Sequence, residues 1–366
     1  MCNLSHNRHS VFCIMPPHIL RALARNGTDE QRNFALNTLA IDSTVRTART
    51  EFQLLANRGV QQHRTVLATQ PPQMMRTIFN ANHHQKPQGK VVRTEGQRAG
   101  EDIEVNEAYE GLGDTYKFYF EVYQRNSIDN AGMPLNAYIH YGRRYDNAFW
   151  DGAEMVFGDG DAQLFNRFTI AKDVIGHELT HGVTGSEINL VYTNQSGALN
   201  ESISDVFGSL VKQYANKQTA DQADWLIGLG LFLNNGQVAG TNGQPPALRS
   251  MKAPGTAYAS AVIGDDPQPA TMDGYVDTAE DNGGVHTNSG IPNHAFYLAA
   301  STLGGNAWEG AGRIWYDTIQ DKQLTSTANF LQFAQRTAVN ATHRFGNNSA
   351  EYLAVMEAWN AVGVKM

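Results

Sequence analysis

The chain has 366 residues, 41% of them hydrophobic and 17% charged, a composition that suits a soluble globular protein with room for two sizeable cores. A net charge of −8 argues against nucleic acid as a main partner, because phosphate binding requires a clustered basic surface. With only Cys2 and Cys13 there is no disulfide framework and no cysteine-rich zinc site, and no stretch approaches the roughly 20 apolar residues that span a bilayer.

The first fifteen residues do not read as a secretory signal, since their apolar run "VFCIM" is short and prolines follow at once. Met15 is an alternative start to Met1. Residues 1–75 carry eight Arg, no Lys and four acids, a net of +4, which leaves −12 on the remainder. A basic front segment beside an acidic body suggests docking between the two, although solvated surface charge would look the same.

Residues 16 to about 55 predict a helical segment, with apolar positions at Ile19, Leu20, Leu23, Phe34, Leu36 and Leu39. "LATQPPQ" and "NANHHQKPQGK" then read as a polar linker or processing zone. The folded body is expected from "KFYFEVYQRNSID" onward. In "PLNAYIHYGRRYDNAFWDGAEMVFGDGD" apolar residues alternate at Leu135, Ala137, Ile139 and Tyr141 between glycine and aspartate punctuation, which predicts hairpin strands. The second half predicts helices over Lys172–Gly182, Gly197–Asn216 and several segments between Ile291 and Val362. A β-rich first lobe and an α-helical second lobe make the fold α+β.

"DVIGHELTHGVTGSE", Asp173 to Glu187, places His177 and His181 one helical turn apart on one face, with Glu178 in the same sector and Ile175, Leu179 and Val183 opposite. Two imidazoles so spaced can reach one zinc ion at roughly 2.0–2.1 Å, with the carboxylate beside the metal's water. The five-residue pattern alone also fits a helix with incidental histidines. A catalytic zinc needs a third protein ligand, and the next helix offers Glu201 and Asp205 four residues apart. Its apolar stripe (Leu199, Ile203, Val206, Phe207, Leu210, Val211, Tyr214) lies on the other side, so periodicity alone makes both acids solvent-facing. If the two polar faces meet across a cleft, Glu201 becomes the third ligand and Asp205 can fix the tautomer of a ligand histidine.

With "NAFWDG" (147–152), "HELTH" (177–181), "ALNESISD" (198–205) and "DNGGVHTNSGIPN" (281–293) in this order, the chain resembles the thermolysin-like zinc metallopeptidases from about Tyr116 to its end. The nineteen residues between His181 and Glu201 agree with that group. The resemblance implies a two-lobed thermolysin-like fold and one zinc ion held by His177, His181 and Glu201. Glu178 would be the general base. Tyr192 and His286 would donate to the oxyanion, Asp281 would orient His286, and Asp205 and Asn200 would hold the ligand histidines. Asn147 and the Ala148 backbone would hold the substrate main chain, and Arg249 its carbonyl. Phe165, Phe168, Val174 and Leu248 match the family's specificity pocket, which implies endopeptidase cleavage before bulky apolar residues.

"PPHIL" (Pro16, Pro17 to Leu20) resembles the mark of the short propeptides of the protealysin branch, implying a proenzyme whose own propeptide inhibits it. The expected division is a propeptide over 1–70, cut between about Leu55 and Gln73, a β-rich lobe over 71–170 and a helical lobe over 171–366. Better-known members hold two calcium ions in an acidic cluster. Here Asp173 and Asp224 keep their acids while Lys212, Leu226 and Leu229 replace others, so the double calcium site is expected to be lost, with the ammonium in its place. The family is largely extracellular, and the N-terminal sequence points instead to non-classical export or a cytoplasmic precursor. The competing readings are a zinc aminopeptidase, for which no acidic anchor for the substrate amine is identified, and a non-catalytic binding protein, which the intact Glu178, Tyr192 and His286 disfavour.

Overall fold

The computed structural model describes residues 12–56, 72–86 and 88–366. Met1, Cys2 and residues 57–71, which make up most of the expected cleavage window, lie outside the described residues. The chain runs β1 (Phe12–Cys13), α1 (Pro17–Asn26), α2 (Asp29–Ala56), β2 (Arg76–Asn80), β3 (Lys90–Thr94), α3 (Ile103–Tyr123), β4 (Leu135–Ile139), β5 (Ala148–Trp150) and β6 (Glu154–Phe157). It continues through α4 (Lys172–Glu187), α5 (Asn194–Asn216), β7 (Leu226–Ile227), β8 (Arg249–Ser250), α6 (Asp281–Asn288), α7 (Gly290–Leu303), α8 (Ala311–Ile319), α9 (Phe330–Phe345) and α10 (Ala350–Ala361). Sheet in the first part and helices in the second agree with the α+β expectation.

Six strands form one sheet in the order β1-β5-β6-β4-β2-β3. The β2–β4 and β4–β6 pairs are parallel, and the β2–β3, β5–β6 and β1–β5 pairs are antiparallel. Parallel neighbours need a crossover, and α3 supplies the one between β2 and β4. Alternation along β4 sends Leu135, Ala137 and Ile139 into the main core, whereas Tyr138 joins Tyr141, Tyr145, Phe149 and Val156 in a second cluster. Ile41 of α2 packs on that second cluster, so the front segment covers the outer face of the sheet.

Three expectations need correcting. The predicted helical front segment is divided into two helices. Thr28 and Gln31 cap α2 reciprocally, Thr28 N donating to Gln31 Oε1 at 2.9 Å and Gln31 N to Thr28 Oγ1 at 3.2 Å. In α1 the predicted Ile19, Leu20 and Leu23 are buried, but the buried face of α2 is Gln31, Ala35, Thr38 and Asp42, while Leu36 is 51% exposed. This face meets hydrogen-bonding groups of the body, so polarity rather than apolarity marks it. Finally, the folded body starts at β2: "NANHHQKPQGK" begins at the end of β2 and joins it to β3, and a hairpin turn shares its Asn, Pro and Gly content with a linker.

The helical half packs around Trp315, stacked on Trp359 with ring centroids 6.0 Å apart and edge-on to Phe296. Helices α4 and α5 run antiparallel, with His177 opposite Asp205 and His181 opposite Asn200. Glycines permit this approach. A Cβ built on Gly176 would lie 3.0 Å from the Gly208 Cα, and one built on Gly208 would lie 2.9 Å from the His177 N and still closer to the Asp173 carbonyl.

Candidate metal centre and substrate cleft

Helix α4 is buried on all sides over most of its length, including His177, Glu178 and His181. The α5 acids that periodicity placed in solvent are also buried: Glu201 is 1% exposed and Asp205 not at all. Burying two carboxylates is costly unless each is paired, and both are. Asp205 accepts from His177 Nδ1 at 2.8 Å, from Arg249 Nε at 2.8 Å and Nη2 at 2.7 Å, and from Asn293 Nδ2 at 2.8 Å. His181 Nδ1 donates to Asn200 Oδ1 at 2.8 Å, with Ser204 Oγ 2.9 Å away.

With each Nδ1 hydrogen committed in this way, both Nε2 lone pairs point inward, and the two Nε2 atoms lie 3.0 Å apart. Glu201 Oε2 lies 3.5 Å from His177 Nε2 and Glu201 Oε1 3.6 Å from His181 Nε2. Oε2 is buried and makes no hydrogen bond among the described residues. Two facing imidazole lone pairs and an orphaned carboxylate oxygen are a donor set that fits a tetrahedral zinc ion with one open position.

The electrostatics agree. Burial alone would keep His177 neutral, but its hydrogen bond to Asp205 and the nearby Glu201 outweigh burial and push its pKa up to about 9, so a proton competes with a metal ion for the Nε2 lone pair. Burial would raise Glu201, yet His286, His181 and His177 hold it well below the usual carboxylate range. Asp205 is likewise held at about 2, burial being outweighed by Arg249 and His177. The pocket demands positive charge, and a divalent cation meets that demand.

Several of the remaining predicted residues are tied into this centre by hydrogen bonds. Glu178 Oε2 accepts from Trp150 N at 3.0 Å, which ties the carboxylate to β5. Tyr192 donates to Glu201 Oε1, and its hydroxyl lies 3.4 Å from His286 Nε2. Asp281 accepts from His286 Nδ1 at 2.9 Å and from its backbone N at 2.9 Å. That return bond requires a left-handed run at Asp281 (φ 51°), Asn282, Gly283 and Gly284, which explains why "DNGG" precedes the histidine. Phe165, Phe168, Val174 and Leu248 are all buried in the main core. Arg249 reaches the centre because β8 pairs with β7 behind α5.

The front segment enters the cleft. Strand β1 pairs antiparallel with β5, Cys13 opposite Phe149. Ile14 N donates to the Ala148 carbonyl at 3.3 Å, Met15 N to Asn147 Oδ1 at 3.1 Å, and Arg249 Nη1 to the Ile14 carbonyl at 3.1 Å. Asp42 of α2 accepts from Asn147 Nδ2 at 2.9 Å and from the Tyr145 hydroxyl at 2.7 Å. Pro16, Pro17 and Leu20 of the predicted propeptide mark are buried where this strand turns into α1. Among the arginines of the front segment, Arg21 reaches the acidic body, donating to Glu280 at 2.5 Å.

Where the resemblance leads one to expect an acidic cluster, Lys212 Nζ donates to Asp173 Oδ2 and Asp224 Oδ1, both at 2.8 Å, and to the Leu226 carbonyl at 2.7 Å. Burial opposes its charge, but Asp173 and Asp224 outweigh it and raise its pKa. Sequence reasoning missed Asn293, Ser204, Asp42 and the pair His18–Tyr258 (2.9 Å). Asn293 and Ser204 lie within or beside quoted motifs, but the polar α2 face and the His18 contact left no periodic signal.

The family profile described as "Thermolysin metallopeptidase, catalytic domain" matches residues 44–185, and "Thermolysin metallopeptidase, alpha-helical domain" matches residues 188–364. An extracellular metalloprotease of Pectobacterium carotovorum subsp. carotovorum is 51% identical over 356 residues, covering 97% of each chain. Protease PrtS of Photorhabdus sp. (strain Az29) is 42% identical over 96% of this chain and 92% of its own. Among solved structures, the precursor of protealysin, a metalloproteinase from Serratia proteamaculans, superimposes with a TM-score of 0.85 at 50% identity, covering 96% of this chain and 99% of that one.

Proposed function

Since the chain belongs to the thermolysin family of zinc metallopeptidases, we propose how its residues divide the work of an endopeptidase made as a proenzyme. His177, His181 and Glu201 hold the zinc ion, oriented by Asp205 and Asn200. Bound there, zinc lowers the pKa of its water and polarises the scissile carbonyl. Glu178 takes the proton of the attacking water and passes it to the leaving nitrogen. Tyr192 and His286, the latter steadied by Asp281, stabilise the oxyanion that develops on the carbonyl oxygen. Asn147, the Ala148 carbonyl and Arg249 hold the substrate strand. Phe165, Phe168, Val174 and Leu248 select a bulky apolar residue on the leaving side.

The observation that carries this reading is the convergence of two histidine lone pairs and Glu201 beside the Asp281–His286 pair. Casein hydrolysis by the purified, matured protein tests it, with and without a zinc chelator and beside Glu178→Ala. Activity must disappear with zinc and return on adding it. Glu178→Ala must bind zinc normally and turn over roughly 10²–10⁴-fold more slowly; activity that survives complete zinc removal sinks the mechanism.

Residues 1–70 act as the intramolecular inhibitor, removed by a cut between about residues 55 and 73. Support comes from Ile14 and Met15 using the groups that a substrate main chain would use. The double calcium site is replaced by Lys212, whose ammonium satisfies Asp173, Asp224 and a backbone carbonyl with one charge.

A further inference from the structure

We infer that the front segment lies in the cleft in substrate register, with the Cys13–Ile14 peptide bond where the bond to be cut belongs, and that the enzyme clips its own chain there. The inference rests on the reading of the cleft given above.

Four main-chain contacts set the register. The Cys13 carbonyl oxygen accepts from His286 Nε2 at 3.1 Å, at the group assigned to the oxyanion. The next residue, Ile14, donates its N–H to the Ala148 carbonyl at 3.3 Å and accepts from Arg249 Nη1 at 3.1 Å. The one after, Met15, donates its N–H to Asn147 Oδ1 at 3.1 Å. The strand thus presents one carbonyl to the oxyanion group and gives the following residue to the groups that hold the leaving side. Ile14 is a bulky apolar residue, wholly buried in the same core cluster as Phe165, Phe168, Val174 and Leu248. Cys13 packs with Tyr145 and Phe149 in the other cluster, as strand alternation requires.

In the step itself, the water oxygen bonds to the Cys13 carbonyl carbon and the C–N bond to Ile14 breaks. Cys13 becomes a carboxylate, and both water protons pass by way of Glu178 to the Ile14 nitrogen, which leaves as an ammonium group. This cut does not free the cleft. Helices α1 and α2 stay anchored downstream of it through Arg21 to Glu280 (2.5 Å), Asn26 to the Val262 carbonyl (2.9 Å), Gln31 to Gln237 (2.9 Å) and Asn147 to Asp42 (2.9 Å). Clipping after Cys13 and activation are therefore separate events, and a nicked but latent form beginning at Ile14 should accumulate.

The test uses the full chain expressed from Met1 and loaded with zinc, followed by intact mass and N-terminal sequencing. The expected product begins at Ile14, forms at a rate independent of protein concentration, and is absent from Glu178→Ala and Ile14→Asp. A readout free of turnover is amide exchange in the Glu178→Ala proenzyme: the Ile14 and Met15 amides should be protected, with protection lost in Ile14→Asp. Unprotected amides overturn the register. A preparation that hydrolyses casein and cuts its own chain elsewhere, while Cys13–Ile14 stays intact, overturns the inference and leaves the proposed function standing. A preparation that leaves its own chain intact, and that cleaves no casein even after residues 1–70 have been removed, overturns both.

Discussion

The Asp205 carboxylate accepts the Nδ1 hydrogen of His177 at 2.8 Å, and in doing so turns the opposite ring nitrogen toward His181 and Glu201. Neither residue could do this alone. The histidine needs its tautomer fixed, and the buried carboxylate needs the donors that His177, Arg249 and Asn293 supply.

Asp205→Ala should therefore weaken zinc binding roughly 10–100-fold, as loss of a carboxylate behind a ligand histidine does elsewhere. It also strands the buried Arg249 guanidinium, so the protein should unfold at lower urea concentration. Competition against a zinc-binding dye, run beside urea unfolding, separates the two effects. Unchanged affinity would remove Asp205 from the orientation of His177.

His286→Ala should keep its zinc and lower kcat by roughly 10²–10³-fold, the usual loss when one oxyanion donor is removed. Asp281→Asn, which leaves the ring in place but weakens its anchor, should fall in the same direction by less. Steady-state kinetics on a peptide substrate, with zinc content measured for each variant, decides this. A change confined to KM would assign His286 to ground-state binding instead.

Lys212→Met leaves two carboxylates facing each other without their cation. Breaking a buried pair from one side costs about 3–5 kcal/mol, an upper bound here because Asp224 retains 29% side-chain exposure. Thermal unfolding should show the loss in the variant. In the wild type, a calcium-selective chelator should leave the melting temperature where it is; a sharp fall would mean that calcium is bound after all.

His18 gives the docked front segment a pH dependence. Burial beside Tyr258 lowers its pKa to about 4, with Asp281 opposing and His286, Arg249 and Arg21 adding to the lowering. The docked state thus favours neutral His18, while the released segment takes up a proton near 6.5. Docking is at full strength above about pH 6.5 and weakens as pH falls toward 4, by roughly two orders of magnitude in all. Amide exchange of α1 between pH 7 and pH 4.5 should show this loosening in the wild type and a flatter response in His18→Gln. Equal responses in the two would assign the acid sensitivity to other groups.

The sequence by itself determined the chemistry that is local. Four residues is one helical turn, so His177 and His181 had to share a face once α4 was a helix, and the alternation of β4 put Leu135, Ala137 and Ile139 inside. The order of four motifs carried the family and, through it, the identities of Glu201, Tyr192 and His286. Only the tertiary structure decided which polar faces are buried. Periodicity reports the contrast between an apolar face and water, so it assigned Glu201 and Asp205 to solvent. It likewise chose Leu36 over Gln31, Thr38 and Asp42 on α2. These polar faces lie instead against other polar groups: α4 and α5 close to the distance that Gly176 and Gly208 allow, and α2 sets Asp42 on Asn147. A face satisfied by hydrogen bonds from distant parts of the chain carries no local hydrophobic signal, and neither does the path of Cys13–Met15 across the cleft, which pairing with β5 and contacts from Asn147, Arg249 and His286 set.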